Sequence, residues 1–319
     1  MKATDIKNVT CLGGGTIGAS WAVSFAMNDL SVVIYDISDE ALAYAKSLVE
    51  RSAKTMVDCD VLDVKAAEEL CSRVSYTTDI ELALKNADYI QESVPENLSV
   101  KHATVEKIEK YAPVHAIVGS SASRMQIGDI CAPAQHKERY TGAHPYNPPH
   151  LVPLVEICPG EKTSDETKET VYEFFKLLKK EPIMLHQPSV GFVGNRLQAV
   201  LFREMNDLVG RGVVSLEDAN KAVTFGPGFR WGVMGPTLVF DLGNAKGIAA
   251  LGANVGGSGL NTLDYVATWT KNPHPGNSQA RIEELRHNVL PEEAHESREA
   301  AAEWRDQMLI KSLKAHGKL

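Results

Sequence analysis

The sequence lacks the features that distinguish secreted and membrane-spanning proteins. Its 319 residues include five cysteines, an odd number without a Cys-x-x-Cys pair, which is typical of reduced thiols in a cytoplasmic protein. No apolar run approaches the ~20 residues of a membrane span, and the first apolar run is too short for a secretory signal. We therefore expect a cytoplasmic protein with no membrane partner, and we predict no metal site.

An excess of basic residues is also missing. The chain has 33 Lys and Arg against 41 Asp and Glu, a net charge of −8, which argues against nucleic acid or an anionic membrane as the main partner. Hydrophobic residues make up 44% and charged residues 23%, as in an ordinary globular protein, and the length is enough for two domains. An anionic small ligand remains compatible with this charge, because local charge decides its binding.

A glycine-rich segment, residues 11–18, is the most informative motif present. It reads Cys-Leu-Gly-Gly-Gly-Thr-Ile-Gly and lies between an apolar run and a helical pattern, which predicts a dinucleotide site. Gly13 permits the sharp turn, Gly15 permits close approach of a pyrophosphate, and Gly18 permits packing of the helix on the sheet. The helix N-terminus then faces the phosphates with its free N–H groups. The predicted cofactor-binding residues here are Gly13, Gly15, Thr16, Ile17 and Gly18.

Asp36 indicates which dinucleotide is bound. It ends the second apolar run, residues 31–35, where a carboxylate can accept hydrogen bonds from both ribose hydroxyls. No Arg follows it, and Asp39 and Glu40 would repel a 2′-phosphate. The sequence therefore predicts NAD rather than NADP, whereas a tight glycine turn without a ligand would leave this acid unexplained.

The first half of the chain alternates short β-rich runs with helical patterns. This predicts an α/β fold with a Rossmann-like, doubly wound, mostly parallel sheet. Strands are predicted at residues 9–12, 31–35, 89–93, 116–120, 141–143, 152–157 and 183–185, and helices at residues 17–28, 39–56, 101–111 and 164–178.

The pattern changes from alternating strands and helices to mainly helices near residues 187–191, where we place a domain boundary. We expect a dinucleotide-binding domain over residues 1–188 and an all-helical C-terminal domain over residues 189–319. Helices are predicted at residues 195–209, 216–223 (with Ser215 as N-cap) and 292–314, and a Gly- and Pro-rich loop at residues 225–236.

His144 is the best candidate for a catalytic base. Oxidation of an alcohol needs a general base, and a histidine pKa lies close to working pH. His144 follows a possible strand in a proline-rich segment, and Glu156 lies 12 residues further in an apolar strand. A carboxylate there is costly unless it is paired, so we predict that Glu156 orients the His144 ring. A purely structural histidine is the alternative interpretation.

Several motifs together resemble a known family. They are residues 13–18, 121–123, 144–148, 154–156 and 191–196, in this order. Over nearly the whole chain they are similar to the L-3-hydroxyacyl-CoA dehydrogenase superfamily. The resemblance is closest to the branch that acts on free hydroxy acids, with L-gulonate 3-dehydrogenase (lambda-crystallin) and L-carnitine dehydrogenase. Pro145 and the doubled proline at 148–149 look like that branch.

The resemblance implies roles for individual residues. It implies NAD as cofactor, His144 as base, Glu156 as its partner, and Ser123 and Asn195 as hydrogen-bond partners of the substrate oxygen. It also places Glu96 near the nicotinamide, and it implies a homodimer formed through the helical domain. Ser121 belongs to the predicted cofactor site, although acyl-CoA enzymes usually have Asn at this position. Ser123 and Asn195 can alternatively be read as helix N-caps.

The predicted substrate is a small free hydroxy acid. Residues 39–73 carry eight acids against five bases, which is a poor seat for the phosphates of CoA. Arg230 is the first candidate for binding the substrate carboxylate and Arg196 the second, and Trp231 could face a quaternary ammonium. An acyl-CoA dehydrogenase and a non-catalytic NAD-binding structural protein are the alternatives. Ala199 argues against the lysine-dependent 3-hydroxyacid dehydrogenases.

Overall fold

The structure, a computed structural model, describes residues 1–242, 266–268, 287 and 290–319. Contacts divide the chain into two compact units. The first comprises Met1–Val193 together with Glu303–Leu319, and the second comprises Gly194–Ala302. The predicted domain boundary after residue 188 stays a prediction.

An eight-stranded sheet forms the centre of the first unit, in the order β3-β2-β1-β4-β5-β6-β7-β8. All neighbours are parallel except β6 and β7, which are antiparallel. This confirms the predicted Rossmann-like, mostly parallel fold. The strands are β1 (Asn8–Leu12), β2 (Ser31–Tyr35), β3 (Val74–Thr77), β4 (Tyr89–Glu92), β5 (Ile117–Ser120), β6 (Tyr140–Pro145), β7 (Leu154–Pro159) and β8 (Glu181–Met184).

Helices connect these strands, and polar residues fix where most of them begin. The helices are α1 (Thr16–Ala26), α2 (Asp39–Asp58), α3 (Val64–Ser72), α4 (Ile80–Leu84), α5 (Leu98–Tyr111), α6 (Ile127–Ile130) and α7 (Asp165–Leu177). Five of them have an N-cap side chain that accepts a backbone N–H, which satisfies a donor that the helix leaves unpaired. These caps are Ser38, Asp63, Asp79, Asn97 and Ser164.

An aromatic cluster holds α1 and α7 against the sheet. Trp21 and Phe25 of α1 stack with ring centroids 5.3 Å apart, and Tyr89 of β4 lies 5.0 Å from Phe174. All of these side chains are buried. Because α1 is apolar on every side it lies inside the unit rather than on its surface, and its first turn is thereby held at one edge of the sheet.

The strand order creates a switch point between β1 and β4. From β1 the chain continues to β2 and β3 on one side, whereas β4, β5 and β6 lie on the other side. Ligands of open α/β sheets bind outside the carboxyl ends of the strands at such a point. Gly13, Ser93, Ser121 and His144 lie at the carboxyl ends of β1, β4, β5 and β6, and thus at the same edge.

The described part of the second unit is helical. It contains α8 (Gly194–Gly210), α9 (Leu216–Phe225), α10 (Pro227–Trp231) and α11 (Pro236–Leu242). Ser215 caps α9 by accepting the Asp218 N–H, as predicted. The predicted loop at residues 225–236 is wrong in part, because Pro227 begins the short helix α10. Proline suits a first helical turn, where its missing N–H is not needed.

The C-terminal helical pattern is divided. A 3₁₀ turn at Glu292–Ala294 precedes α12 (Arg298–Ala315), so the single predicted helix over residues 292–314 is wrong in its first part. Ile310 and Leu313 of α12 belong to the core of the first unit. Among the helices of the described ranges, none is both long enough and apolar enough to cross a bilayer.

Candidate active site

The glycine turn between β1 and α1 has the geometry of a phosphate-binding loop. Gly13 adopts a positive φ of 105°, and a Cβ on it would lie 2.7 Å from the Ser93 carbonyl oxygen. A Cβ on Gly18 would overlap the Gly13 carbonyl oxygen. At Gly15, which precedes the first turn of α1, a Cβ would meet nothing within 4 Å. The open space therefore lies directly in front of the helix N-terminus, where an anion is favoured.

Asp36 is held at the end of β2, beside this turn. Its Oδ2 accepts the Gly14 N–H at 2.6 Å, and its Oδ1 accepts the Ile37 N–H at 2.7 Å. Thr16 in the first turn of α1 hydrogen-bonds the Tyr44 hydroxyl at 3.0 Å. A carboxylate, a glycine turn and an open helix N-terminus together fit the adenosine and diphosphate of NAD.

His144 and Glu156 form the buried pair predicted from the sequence. They lie directly opposite each other on β6 and β7, and His144 Nδ1 is 2.7 Å from Glu156 Oε2. The Glu156 side chain is 0% exposed and the His144 side chain 8%. Because a carboxylate only accepts, Nδ1 carries the hydrogen and Nε2 is the basic nitrogen.

Further contacts hold this pair in place. The second oxygen of Glu156, Oε1, accepts the backbone N–H of Val193 at 2.8 Å. The His144 ring packs beside Phe192 and Tyr146, with ring centroids 5.2 and 6.0 Å away. Such contacts leave the imidazole little freedom to turn, so its orientation is set before any substrate arrives.

Glu96 and Ser123 lie together at the carboxyl ends of β4 and β5. Glu96 Oε1 accepts the backbone N–H of Ser123 at 2.5 Å, its hydroxyl at 3.2 Å, and the Arg124 N–H at 3.1 Å. Burial by itself would raise the pKa of Glu96, but these hydrogen bonds and the Arg124 side chain outweigh it and lower the pKa. Glu96 is therefore an anion that fixes the loop carrying Ser123.

The capping interpretations of Ser123 and Asn195 are wrong. Helix α6 begins at Ile127 after Gln126, so Ser123 is too far from its first turn. Helix α8 already begins at Gly194, which places Asn195 inside the helix rather than before it. Both residues thus have side chains that no helix end requires.

Ser121 makes more contacts than the sequence suggested. Its Oγ accepts from Trp21 Nε1 at 3.2 Å and from Gln91 Nε2 at 2.8 Å, and it lies 2.9 Å from Ser93 Oγ. Trp21, Gln91 and Ser93 were not predicted as site residues. An amide in the β-rich run of β4 was the only available signal, by the same reasoning that selected Glu156.

A buried ion pair was also missed. Lys101 Nζ contacts both oxygens of Glu92, at 2.7 and 2.9 Å, and Ser120 Oγ donates to Glu92 at 2.5 Å. Glu92 Oε1 also accepts the Val94 N–H at 2.8 Å. The pair therefore anchors the start of the segment that carries Glu96.

The remaining predicted residues belong to the second unit. Asn195 lies in the first turn of α8, and Arg230 and Trp231 lie in α10. Arg196 and Arg230 are exposed, and Trp231 is 40% exposed. Their roles in substrate binding stay predictions.

Comparisons with known proteins agree with this geometry. Residues 8–188 match the NAD binding domain of 3-hydroxyacyl-CoA dehydrogenase, and residues 191–281 match its C-terminal domain. The chain belongs to the 3-hydroxyacyl-CoA dehydrogenase family. The predicted resemblance is confirmed, and this member of the family is an NAD-dependent oxidoreductase that acts on a CH–OH group.

Individual members of the family are similar over most of their length. The chain is 38% identical to a 3-hydroxyacyl-CoA dehydrogenase of Gibberella moniliformis, over 76% of this chain and 74% of that one. It is 35% identical to an L-carnitine dehydrogenase of Oceanobacillus iheyensis, over 75% and 78%. A solved structure of 5-formyl-3-hydroxy-2-methylpyridine 4-carboxylic acid 5-dehydrogenase, an NAD⁺ dependent dismutase, has a TM-score of 0.78 and 26% identity, and it covers 98% and 97% of the two chains.

Proposed function

We propose that this protein oxidises the L-configured 3-hydroxyl of a small free hydroxy acid, such as L-carnitine or L-gulonate, to the 3-keto acid. The observation that carries this proposal is the buried His144–Glu156 pair, with Nδ1 2.7 Å from Oε2, at the same sheet edge as the glycine turn. A base with a fixed tautomer at the carboxyl ends of the strands is the arrangement that dehydrogenation of an alcohol requires.

The residues act by holding and moving one proton. NAD supplies the hydride acceptor when it is bound. His144 Nε2 takes the proton of the substrate hydroxyl, and the Glu156 carboxylate stabilises the imidazolium that results. Ser123 and Asn195 hold the substrate oxygen while it becomes a carbonyl. In the bound complex Asp36, Glu96 and residues 13–18 contact the cofactor, and Ser121 belongs to the cofactor site through its hydrogen bond to Ser93.

A free acid fits the charge of the first unit better than an acyl-CoA does. Helices α2 and α3 lie within residues 39–73, where acids outnumber bases by eight to five. Phosphate groups beside this segment would be repelled. Relatives named L-carnitine dehydrogenase support a small substrate. Arg230, or else Arg196, would bind the substrate carboxylate, and Trp231 would contact a quaternary ammonium group.

Oxidation of an L-3-hydroxyacyl-CoA is the second candidate function. It is favoured by the 38% identity to a relative named 3-hydroxyacyl-CoA dehydrogenase. Initial rates of NAD reduction with L-carnitine, L-gulonate and L-3-hydroxybutyryl-CoA, measured through the absorbance of NADH, separate the two candidates. Greater kcat/KM with L-3-hydroxybutyryl-CoA would reject the free-acid proposal, and NAD binding without turnover of any substrate would favour a non-catalytic structural role.

Replacement of His144 tests the catalytic role directly. His144→Ala should lower kcat by about 10²–10⁴-fold, the usual contribution of a general base, while NADH affinity stays unchanged. Glu156→Gln should lower kcat in the same direction, because an amide no longer enforces hydrogen on Nδ1. The exposed His115→Ala is the matched control and should retain full activity. Near-normal turnover of His144→Ala would show that the base lies elsewhere.

The proposed function includes a cytoplasmic homodimer. All five cysteines lie in the described part of the chain and each is a free thiol, which suits a reducing compartment. Helices α8, α10 and α11 expose large apolar side chains, among them Leu197, Phe202, Phe229 and Leu238. Exposed apolar patches of this kind are typical of interfaces between subunits.

A further inference from the structure

A chain of hydrogen bonds crosses the sheet and ends beside the glycine turn. Its first member is Tyr89 on β4, whose hydroxyl donates to Gln91 Oε1 at 2.8 Å. Gln91 Nε2 then donates to Ser121 Oγ at 2.8 Å and to the Ala143 carbonyl oxygen at 3.3 Å. Ser121 Oγ in turn lies 2.9 Å from Ser93 Oγ. The chain thus connects the interior of the sheet with its ligand-binding edge.

Gly119 gives this chain its path across β5. Gln91 pairs with Gly119 in the sheet, and Ala143 lies on the next strand, β6. A Cβ on Gly119 would overlap the Tyr89 hydroxyl and would lie 2.9 Å from the Ala143 Cβ. Because Gly119 has no side chain, Tyr89 and Gln91 of β4 have room for the hydrogen bonds that reach the Ala143 carbonyl of β6.

The Ala143 carbonyl fixes the orientation of the Gln91 amide. A carbonyl oxygen can only accept, so the amide atom that faces it at 3.3 Å is the NH₂ group. The amide oxygen then faces the Tyr89 hydroxyl and accepts its hydrogen. Gln91 is completely buried, so bulk solvent does not reach these positions. Gln91 is therefore a donor toward Ser121.

Two donors together fix the hydrogen of Ser121. Trp21 Nε1, which can only donate, contacts the same Oγ at 3.2 Å. A hydroxyl has two lone pairs and one hydrogen, so an Oγ that accepts from both Trp21 and Gln91 has only donation left. Its hydrogen is directed to Ser93 Oγ. Ser93 consequently accepts from Ser121 and keeps its own hydrogen for another acceptor.

Ser93 lies where the middle of the cofactor is expected. It packs on the glycine turn, since a Cβ on Gly18 would lie 3.5 Å from the Ser93 Cβ. It follows β4, on the side of β1 opposite to β2 and Asp36. Within the described ranges, Ser121 is the only side-chain hydrogen-bond partner of its hydroxyl. If Asp36 binds the adenosine ribose, a donor on the opposite side of β1 would face the part of NAD that lies beyond the adenosine.

We propose that Ser93 is a cofactor-binding residue whose hydroxyl donates to an oxygen of NAD that lies between the phosphate of the adenosine half and the nicotinamide ring. Ser121, Gln91 and Trp21 are positioning residues that hold this hydroxyl as a donor. The inference rests on NAD as cofactor and is independent of the choice of base, so activity loss in His144→Ala leaves it untouched.

Equilibrium binding measures the effect without turnover. Kd values of the full-length protein for NADH, ADP-ribose and AMP are determined by calorimetry or fluorescence. Ser93→Ala should weaken NADH and ADP-ribose about tenfold, the usual worth of a hydrogen bond to a polar or charged group. Binding of AMP, which ends at the first phosphate, should stay unchanged. Ser72→Ala, an exposed serine at the end of α3, is the matched control.

Gln91→Met tests the positioning chain. Gln91 is completely buried, so it does not contact the cofactor itself, and its hydrogen-bonded connection to Ser93 runs through Ser121. Gln91→Met alone should weaken the binding of NADH about threefold, and it should cause no further loss of affinity in the Ser93→Ala background. If Gln91 had only a structural role, Gln91→Met would weaken the binding of AMP as well, and its effect would add to that of Ser93→Ala.

Three results would overturn the inference. If Ser93→Ala binds NADH and ADP-ribose with wild-type affinity, Ser93 does not contact the cofactor. If Ser93→Ala loses affinity for NADH alone, the contact is to the nicotinamide and not to the proposed oxygen. If the effects of Gln91→Met and Ser93→Ala on the Kd for NADH are additive, Gln91 does not act through Ser93. If thermal melting shows that Gln91→Met does not fold, Ser121→Ala takes its place in the same cycle, with the same expectation.

Discussion

Charged residues in apolar surroundings are single residues whose role can be predicted from the sequence of this protein. Glu156 was identified because a carboxylate in an apolar strand needs a partner, and the structure places the His144 ring 2.7 Å from it. The same reasoning applies to Glu92 and Lys101, which form a pair that the sequence reading passed over. Each charged residue within a predicted buried strand therefore predicts a partner for that charge.

The partners of Ser121 could not be predicted in this way. Its hydrogen bonds to Gln91 and Trp21 depend on which strands are neighbours and on the side of the sheet that α1 covers. Hydroxyl groups are tolerated almost anywhere on a protein, so a serine in a sequence carries little information about its partners. The strand order had to be known first.

Lys180 is a further buried charge, remote from the glycine turn in the sequence. Its ammonium group donates to the carbonyl oxygens of Pro149 and Val152, and so it holds the turn between β6 and β7. His150 in the same turn hydrogen-bonds Ser20 of α1 at 2.6 Å. Burial lowers the pKa of Lys180 to about 7 and the pKa of His150 to about 3.

The depressed pKa of Lys180 makes stability depend on pH. Between about pH 7 and its unfolded value of 10.5, the unfolded chain binds a proton that the folded chain has released. The free energy of unfolding therefore rises with pH in this window, by at most about 1.4 kcal/mol per pH unit. In urea unfolding at several pH values, the free energy of unfolding of the wild type should rise with pH relative to that of Lys180→Met. The exposed Lys179→Met should show a constant difference, and a flat profile for both variants would contradict the prediction.

At the scale of elements, β-rich runs predicted most of the sheet. The runs at residues 9–12, 31–35, 89–93 and 116–120 all correspond to strands, because strands near the centre of a parallel sheet are mostly buried. Strand β3 was missed. It is an edge strand next to β2 only, and its residues Val-Ser-Tyr-Thr are half polar, so the run is weak.

Two of the helices that were not predicted had signals at their ends. The predicted helix over residues 39–56 was followed by no further helix before β3, although Asp63 caps α3. Helix α10 was read as a loop because glycines and a proline dominate residues 225–236. Both cases show that residues at helix ends carry more information than average propensity does.

The glycines of the β1–α1 element separate folding from binding. Gly18→Ala should destabilise the protein by about 1–3 kcal/mol, because its Cβ overlaps the Gly13 carbonyl oxygen. Gly15→Ala should cost less than about 1 kcal/mol, because its Cβ meets nothing within 4 Å and its φ of −69° suits alanine. Thermal and urea unfolding compare the two variants.

The same two variants should rank differently in cofactor binding. Gly15→Ala should weaken NADH at least about tenfold, since its methyl group occupies the space in front of the α1 N-terminus. A Gly15→Ala protein that folds and binds NADH like the wild type would show that the diphosphate does not lie over this glycine.

At the scale of the whole molecule, the two units differ in how they use apolar residues. The first unit has an extensive buried core, including the aromatic cluster around Trp21 and Phe174. In the described part of the second unit, Leu197 is 68% exposed and Phe229 71%. Amphipathic helices with an exposed apolar face are usually covered by another surface.

This exposure predicts a dimer formed through the second unit. Light scattering after size exclusion, at micromolar concentration, should give twice the 34.7 kDa of one chain. Leu197 and Val200 lie three residues apart on α8 and so share one face of the helix. Val200→Glu should weaken the dimer at least about tenfold, because a charge cannot be buried there without a partner. Val114→Glu places the same charge on an exposed valine of the first unit and should remain dimeric. A wild type that is monomeric under these conditions would leave the apolar face of α8 to a different surface.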